Sequence, residues 1–251
     1  MRETIKNIRT ILQAHHDLFQ NAIPLIASEN ITSPAVQEAC SCDFSHRYAE
    51  GWCRERVYAG CKYIDDIEDL CMELARRFFK AKFADVRPIS GVVANLALYN
   101  AFTSRNNGKM MVMPIPKGGH ISHAPMFTKS GMQINGTAGT VRGLEIEYLK
   151  FDQENMNLDV DGSAELMKEF KPELVLFGGS VFLFPHPVKE LSKVAKEIGS
   201  HVAYDGAHVA ALIGSGYFQD PLREGAEAMS LSTHKTLPGP QHGMVLADDE
   251  S

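Results

Sequence analysis

No apolar stretch in the 251 residues is long enough to span a bilayer, and the opening MRETIKNIRTILQAHHDLF lacks the continuous apolar core of a secretory signal. The expectation is a soluble, cytoplasmic protein with no membrane partner. A basic block is missing too: 25 Lys and Arg stand against 31 Asp and Glu, a net charge of -6, so the phosphate neutralisation that nucleic-acid binding requires is not supplied. The five cysteines, Cys40, Cys42, Cys53, Cys61 and Cys71, match no paired C-x-x-C zinc pattern and read as free thiols of a reducing compartment. Repeats, low-complexity tracts and evident linkers are absent. At 44% hydrophobic and 22% charged, the chain has the composition of an ordinary folded domain with a large core.

Residues 4–19 place Ile5, Ile8, Leu12 and Phe19 at helical spacing, which predicts an N-terminal arm over 1–20 lying across a larger body. A second helix is predicted over 65–80, with acids in its first turn and bases in its last, and with Ile67, Leu70, Leu74 and Phe78 packed inward. From residue 83 short apolar runs (MMVMPI, LEIEYLKF, ELVLFGG, HVAYDGA, AMSLSTH, GMVLAD) alternate with helical ones such as VKELSKVAKEIG. That alternation predicts an α/β layer structure with a mostly parallel mixed sheet, forming one domain over 21–251. Ligands of such sheets gather beyond the carboxyl ends of the strands.

Chemistry is carried by a few residues at predicted strand ends. In HVAYDGAHVAALIGSG a strand ends in Asp205, and His208 follows three residues later. Asp205 either faces a ligand or caps the next helix. In SLSTHKTLPGPQHG, Lys235 is read as the end of a neighbouring strand. Such a lysine is a surface charge unless desolvation or nearby positive charge lowers its pKa and frees it as a nucleophile. An amine and a carboxylate so placed suit pyridoxal phosphate chemistry, in which lysine bonds the cofactor aldehyde and the acid holds the ring nitrogen protonated. Ser90 and Gly91 precede a helical run and offer either an ordinary cap or an anion cradle. His120, after two glycines in KGGHISHA, is a loop histidine or a ring that lies over a flat ligand.

Taken with LIASEN (25–30), YAEG (48–51), GGH (118–120), DGAHVAALI (205–213) and STHKTLPGP (232–240), these stretches resemble the serine hydroxymethyltransferase family over essentially the whole chain. The resemblance implies the large domain of a fold-type I pyridoxal-phosphate enzyme, with Lys235 covalently holding the cofactor. It also implies that Asp205 lies on the ring nitrogen, His208 near the phenolic oxygen, His120 against the ring, and Ser90, Gly91, Ser180, Ser232 and His234 around the phosphate. Ser28 is implied to contact the amino-acid carboxylate, Glu50 to act as acid and base at the serine hydroxyl, and Tyr58 to assist exchange at Lys235. Ile115, Gly119 and Ile121 are implied to border a reduced pterin, tetrahydrofolate or tetrahydromethanopterin. The implied reaction interconverts serine and glycine in a homodimer with shared sites, Tyr48, Glu50 and Tyr58 coming largely from the neighbouring chain.

Departures from the common family pattern are Val92 for a hydroxyl residue, Ala59, Gly206, Pro238, and Gln241 where an arginine is usual; these resemble the archaeal branch. Gln241 cannot supply a fixed cation. The family's smaller C-terminal domain, with its substrate-gripping arginine, has no counterpart before Ser251, so the chain is expected to be the arm and large domain and to turn over poorly alone. A threonine aldolase-like or decarboxylating pyridoxal-phosphate enzyme, and a dimerising fragment without turnover, remain alternatives. Glu50 in YAEG and the pterin-facing KGGHI favour the hydroxymethyltransferase, since an aldolase has no pterin to accommodate.

Overall fold

Four consecutive apolar residues, Met110 to Met113, divide between two cores: Met110 and Val112 join one cluster, Met111 and Met113 the other. Side chains of a strand alternate between faces, so both faces of this strand are covered. Leu174 to Phe177 divide in the same way. The computed structural model describes residues 1–249 except 128–129, 135, 137 and 139–141.

The central sheet has seven strands: β1 (Phe83–Asp85), β2 (Lys109–Val112), β3 (Glu145–Tyr148), β4 (Leu174–Gly178), β5 (His201–Asp205), β6 (Ala228–Ser232) and β7 (Gly243–Ala247), in the order β1-β7-β6-β5-β4-β2-β3. The neighbours from β6 to β3 are parallel, while β7 runs antiparallel to both β6 and β1. The expected α/β architecture with a mostly parallel mixed sheet is therefore present.

Five longer helices accompany it: α1 (Arg2–Gln20), α2 (Lys62–Phe79), α3 (Gly91–Phe102), α4 (Val160–Phe170) and α5 (Val188–Ile198). Leu98 and Tyr99 of α3 belong to one core, whereas Met167 of α4 and Leu191 of α5 belong to the other, so helices cover both sheet faces. Among the described residues no helix is long and apolar enough to cross a membrane.

One expectation about the N-terminal third needs correction. Helix α2 begins at Lys62 and ends at Phe79, and Ile67, Leu70, Leu74 and Phe78 are exposed instead of packed inward (53%, 48%, 51% and 41% accessible). The inward residues are Asp65, Ala75 and Phe79. Arg56 explains this rotation: it is held by Asp65 at 2.7 Å and Glu68 at 2.6 Å, so the charged face turns toward the chain and the apolar stripe turns away. Helix α1 buries no residue of its own, and His15 and Phe19 near its end line a cavity with His234 and Pro240.

Candidate active site

Parallel register brings the strand ends together. Gly178 of β4 pairs with Asp205 of β5, and Asp205 pairs with Ser230 of β6. The loops that follow carry Ser180, His208, His234 and Lys235 to one end of the sheet. Strand β6 ends at Ser232, so Lys235 lies three residues beyond it and not at its end as expected; the loop is braced by Thr233, which donates through Oγ1 to the Pro240 carbonyl at 2.6 Å. Gly178 has φ +84°, and a Cβ there would overlap the Asp205 carbonyl oxygen, so only glycine allows β4 to turn away this close to β5.

Asp205 is buried, but it is not a helix cap; the short helix Ala210–Gly214 is preceded by Val209. Its Oδ2 accepts from His123 Nε2 at 2.7 Å and from Asn95 Nδ2 at 2.9 Å, and its Oδ1 accepts from the Ala207 amide at 2.9 Å. Burial alone would raise its pKa, but the His123 bond and charge, with the Asn95 and Ala207 donors, outweigh this and hold the carboxyl well below the usual range. The result is a buried anion at the centre of the strand ends.

Lys235 is half-buried, and desolvation lowers the pKa of its amine against the opposing pull of Asp205. The histidines around it are kept neutral. His208 is brought down to about 4 by burial and then by Lys235, and His120 to about 4 by burial and then by His123. His234 is lowered for the same reasons, burial first and Lys235 second. A nucleophilic lysine needs its neutral form within reach, and this surrounding moves it in that direction.

Helix α3 starts at the same end. Ser90 is its N-cap, accepting from the Val93 amide at 3.2 Å, and a Cβ on Gly91 would lie 3.2 Å from the Ser232 Cβ. The first helical bond runs from Ala94 N to Ser90 O, which leaves the amides of Gly91 and Val92 ahead of the helix ladder. A helix N-terminus with free amides attracts an anion, and the Ser90 hydroxyl hydrogen is free to join them. His234 adds a buried Nδ1 without a partner. An anion cradle, a buried carboxylate and a half-buried amine at one end of the sheet fit a phosphorylated aldehyde with a basic ring nitrogen. His120, His123 and Asp205 also lie at metal-binding distances of one another, within 4.8 Å, but Asp205 and His123 are already hydrogen-bonded to each other.

The other expected residues fall into three groups. Ser28 lines a cavity of about 560 Å³ with Asn30, His234 and Gln241, beside the lysine loop. Ile115, Gly119, Ile121 and Ser180 line one of about 680 Å³ with Phe151 and Met156. Tyr48 and Tyr58, with rings 5.7 Å apart, line a separate cavity of about 600 Å³ on the N-terminal segment. Tyr48, Tyr58 and Glu50 are exposed and are not brought to Asp205 within one chain.

Three residues of the site escaped sequence reasoning: His123, Asn95 and Asn30. The first was signalled by the second histidine of GGHISHA. Asn95 gave no signal, and Asn30 appeared only as the last residue of LIASEN, because their partners lie 110 and 205 positions away.

The family model described as serine hydroxymethyltransferase matches residues 1–250. A serine hydroxymethyltransferase of Korarchaeum cryptofilum is 58% identical over 249 residues, covering 99% of this chain and 57% of that protein. Proteins of the same name from Nitrosopumilus maritimus and Methanothermobacter thermautotrophicus are 57% and 51% identical, with 56% and 55% of their lengths covered. The chain thus spans a little over half the length of the curated relatives it matches.

Proposed function

Because the chain belongs to the serine hydroxymethyltransferase family, we propose that it carries the pyridoxal-phosphate site of an enzyme interconverting serine and glycine, with a reduced pterin taking up the one-carbon unit. When bound, the cofactor supplies an electron sink that lets a bond to the substrate α-carbon break. The observation that carries the reading is the buried Asp205 carboxylate set at the strand ends beside the half-buried Lys235 amine.

In this reading Lys235 bonds the cofactor aldehyde, and its lowered pKa makes the neutral amine available. Asp205, ionised and held by His123, Asn95 and Ala207, keeps a proton on the ring nitrogen. Ser90, Gly91, Ser180, Ser232 and His234 surround the phosphate, while His120 covers the ring as a neutral imidazole and His208 stands near the phenolic oxygen. Ser28, close to His234 and Gln241, meets the amino-acid carboxylate. Tyr48, Glu50 and Tyr58, exposed in the single chain, act across a homodimer. The exposed stripe Ile67, Leu70 and Leu74 supports a second copy as its cover, since contiguous apolar surface marks interaction sites. The cavity of Ile115, Gly119 and Ile121 receives the pterin, and its apolar wall of Phe151 and Met156 suits an aromatic body.

The test is an absorbance spectrum after addition of pyridoxal phosphate to the chain and to Lys235→Ala. A visible band present only with the lysine supports the reading; identical spectra overturn it. For the pterin, Gln241 in place of an arginine favours tetrahydromethanopterin. A clear rate preference of the full-length protein for tetrahydrofolate overturns that choice.

A further inference from the structure

We infer that Asn95 is a positioning residue that orients two ring contacts at once: it holds the Asp205 carboxylate with one amide hydrogen and, through Ser122, fixes His120 as the tautomer protonated on Nε2. The inference rests on the proposed function only in calling Asp205 and His120 ring contacts. The hydrogen-bond pattern itself involves this chain alone.

An ionised carboxylate only accepts, so the atom of Asn95 lying 2.9 Å from Asp205 Oδ2 is the nitrogen, which settles the amide orientation. The Asn95 oxygen then accepts from the Ser230 hydroxyl at 2.5 Å. The second amide hydrogen points to Ser122 Oγ at 2.9 Å. Ser122 Oγ is thereby an acceptor on that side, and its own hydrogen turns to His120 Nδ1 at 2.7 Å. The Ser122 backbone amide points at the same nitrogen, at 3.1 Å, and a backbone amide only donates. Two donors on Nδ1 require it to be unprotonated, so neutral His120 carries its hydrogen on Nε2.

Burial makes the arrangement binding on each member. Asn95 and Ser122 are each 1% accessible and Ser230 likewise, so none of them can exchange a partner for water. Tyr99 supports the turn by donating to the Ser122 carbonyl at 2.9 Å. Asn95 lies on α3, one turn beyond Ser90 and Gly91, so one helix supplies both the anion cradle and the amide that sets the ring contacts.

The experiment is nitrogen-15 NMR of histidine-labelled, cofactor-free full-length protein at neutral pH, with the His120 signals assigned by substitution. The wild type should show an unprotonated Nδ1 and a protonated Nε2. In Asn95→Asp, the residue at 95 shares a proton with Asp205 and accepts the Ser122 hydroxyl hydrogen, so His120 Nδ1 keeps only the Ser122 backbone amide as donor; its signal should shift and the His120 titration midpoint should rise. A wild-type His120 protonated on Nδ1 overturns the inference, and so does a folded Asn95→Asp protein with an unchanged His120 spectrum. If Asn95→Asp does not fold, Ser122→Ala reads the same link: losing a donor to the neutral ring should raise the His120 titration midpoint, and an unchanged midpoint overturns the inference. A separate titration with pyridoxal phosphate should show roughly tenfold or greater weakening in Asn95→Ala, the worth of a hydrogen bond to a charged group. Failure of wild-type protein to bind pyridoxal phosphate, with the NMR result as expected, would remove the proposed function and leave the hydrogen-bond assignment standing.

Discussion

The side-chain amide of Asn30 donates to the backbone carbonyl of Lys235 at 2.7 Å, across 205 positions of sequence. Two residues before Asn30, Ser28 faces the same loop, so this bond ties the segment proposed to meet the substrate to the lysine proposed to hold the cofactor. Asn30→Ala is expected to slow turnover of the full-length enzyme more than it weakens amino-acid binding, by about fivefold to tenfold for one lost hydrogen bond. Steady-state kinetics check this: an unchanged turnover number would show that the lysine loop holds its position without Asn30.

The close approach of β4 to β5 makes Gly178 a sensitive position. Gly178→Ala puts a methyl group onto the Asp205 carbonyl at a backbone angle of φ +84°. The expected loss is at least about 2 kcal/mol, combining left-handed strain with overlap against backbone. Thermal denaturation should show a midpoint lower by roughly 4 °C or more for a domain of this size.

Acid sensitivity has a defined source in His186. Its Nδ1 accepts from the Gly178 amide at 3.1 Å, and burial brings its pKa from 6.5 to about 4. Below pH 6.5 the unfolded chain gains a proton that the folded chain refuses until about pH 4. Stability is therefore complete above that window and falls as pH is lowered through it, by at most about 1.4 kcal/mol per pH unit from this group. His120 and His208, also lowered to about 4, act in the same direction. His186→Asn, which retains an acceptor for Gly178, should flatten the fall; urea denaturation at several pH values would expose an unchanged slope.

The outward stripe of α2 gives a prediction about assembly. Leu70 and Leu74 are about half accessible, so replacing them costs the single chain little. Leu74→Glu should leave the fold intact by circular dichroism while shifting sedimentation from the proposed dimer to monomer. A variant that still sediments as the wild type would show that this stripe does not join two copies.

Much of the fold was legible because its signals are local. Six of the seven sheet strands were announced by apolar runs; β1, only Phe83–Asp85, is too short to show alternation. Asp205 and Lys235 could be anticipated as neighbours because adjacent parallel strands end at the same edge. The outward turn of α2 was not legible, since helical period reveals an apolar face and not what covers it. Arg56, which turns that face outward, acts from outside the helix. Asn95 was hidden for a related reason: within α3 it reads as an ordinary polar residue, and its role arises only when residues 122, 205 and 230 close around it.

The seating of Ser90 and Gly91 also bears on how the chain is made. The turn carrying them is anchored by the Gly243 amide, which donates to the Pro88 carbonyl at 2.8 Å, and β1 pairs with β7. At about 5–20 residues per second, the ribosome needs on the order of ten seconds to deliver β7 after the turn has emerged. During that interval the turn before α3 lacks its Gly243 bond and β1 lacks the strand it pairs with. The anion cradle therefore cannot be completed before β7 has emerged, although its own turn lies far upstream in the sequence.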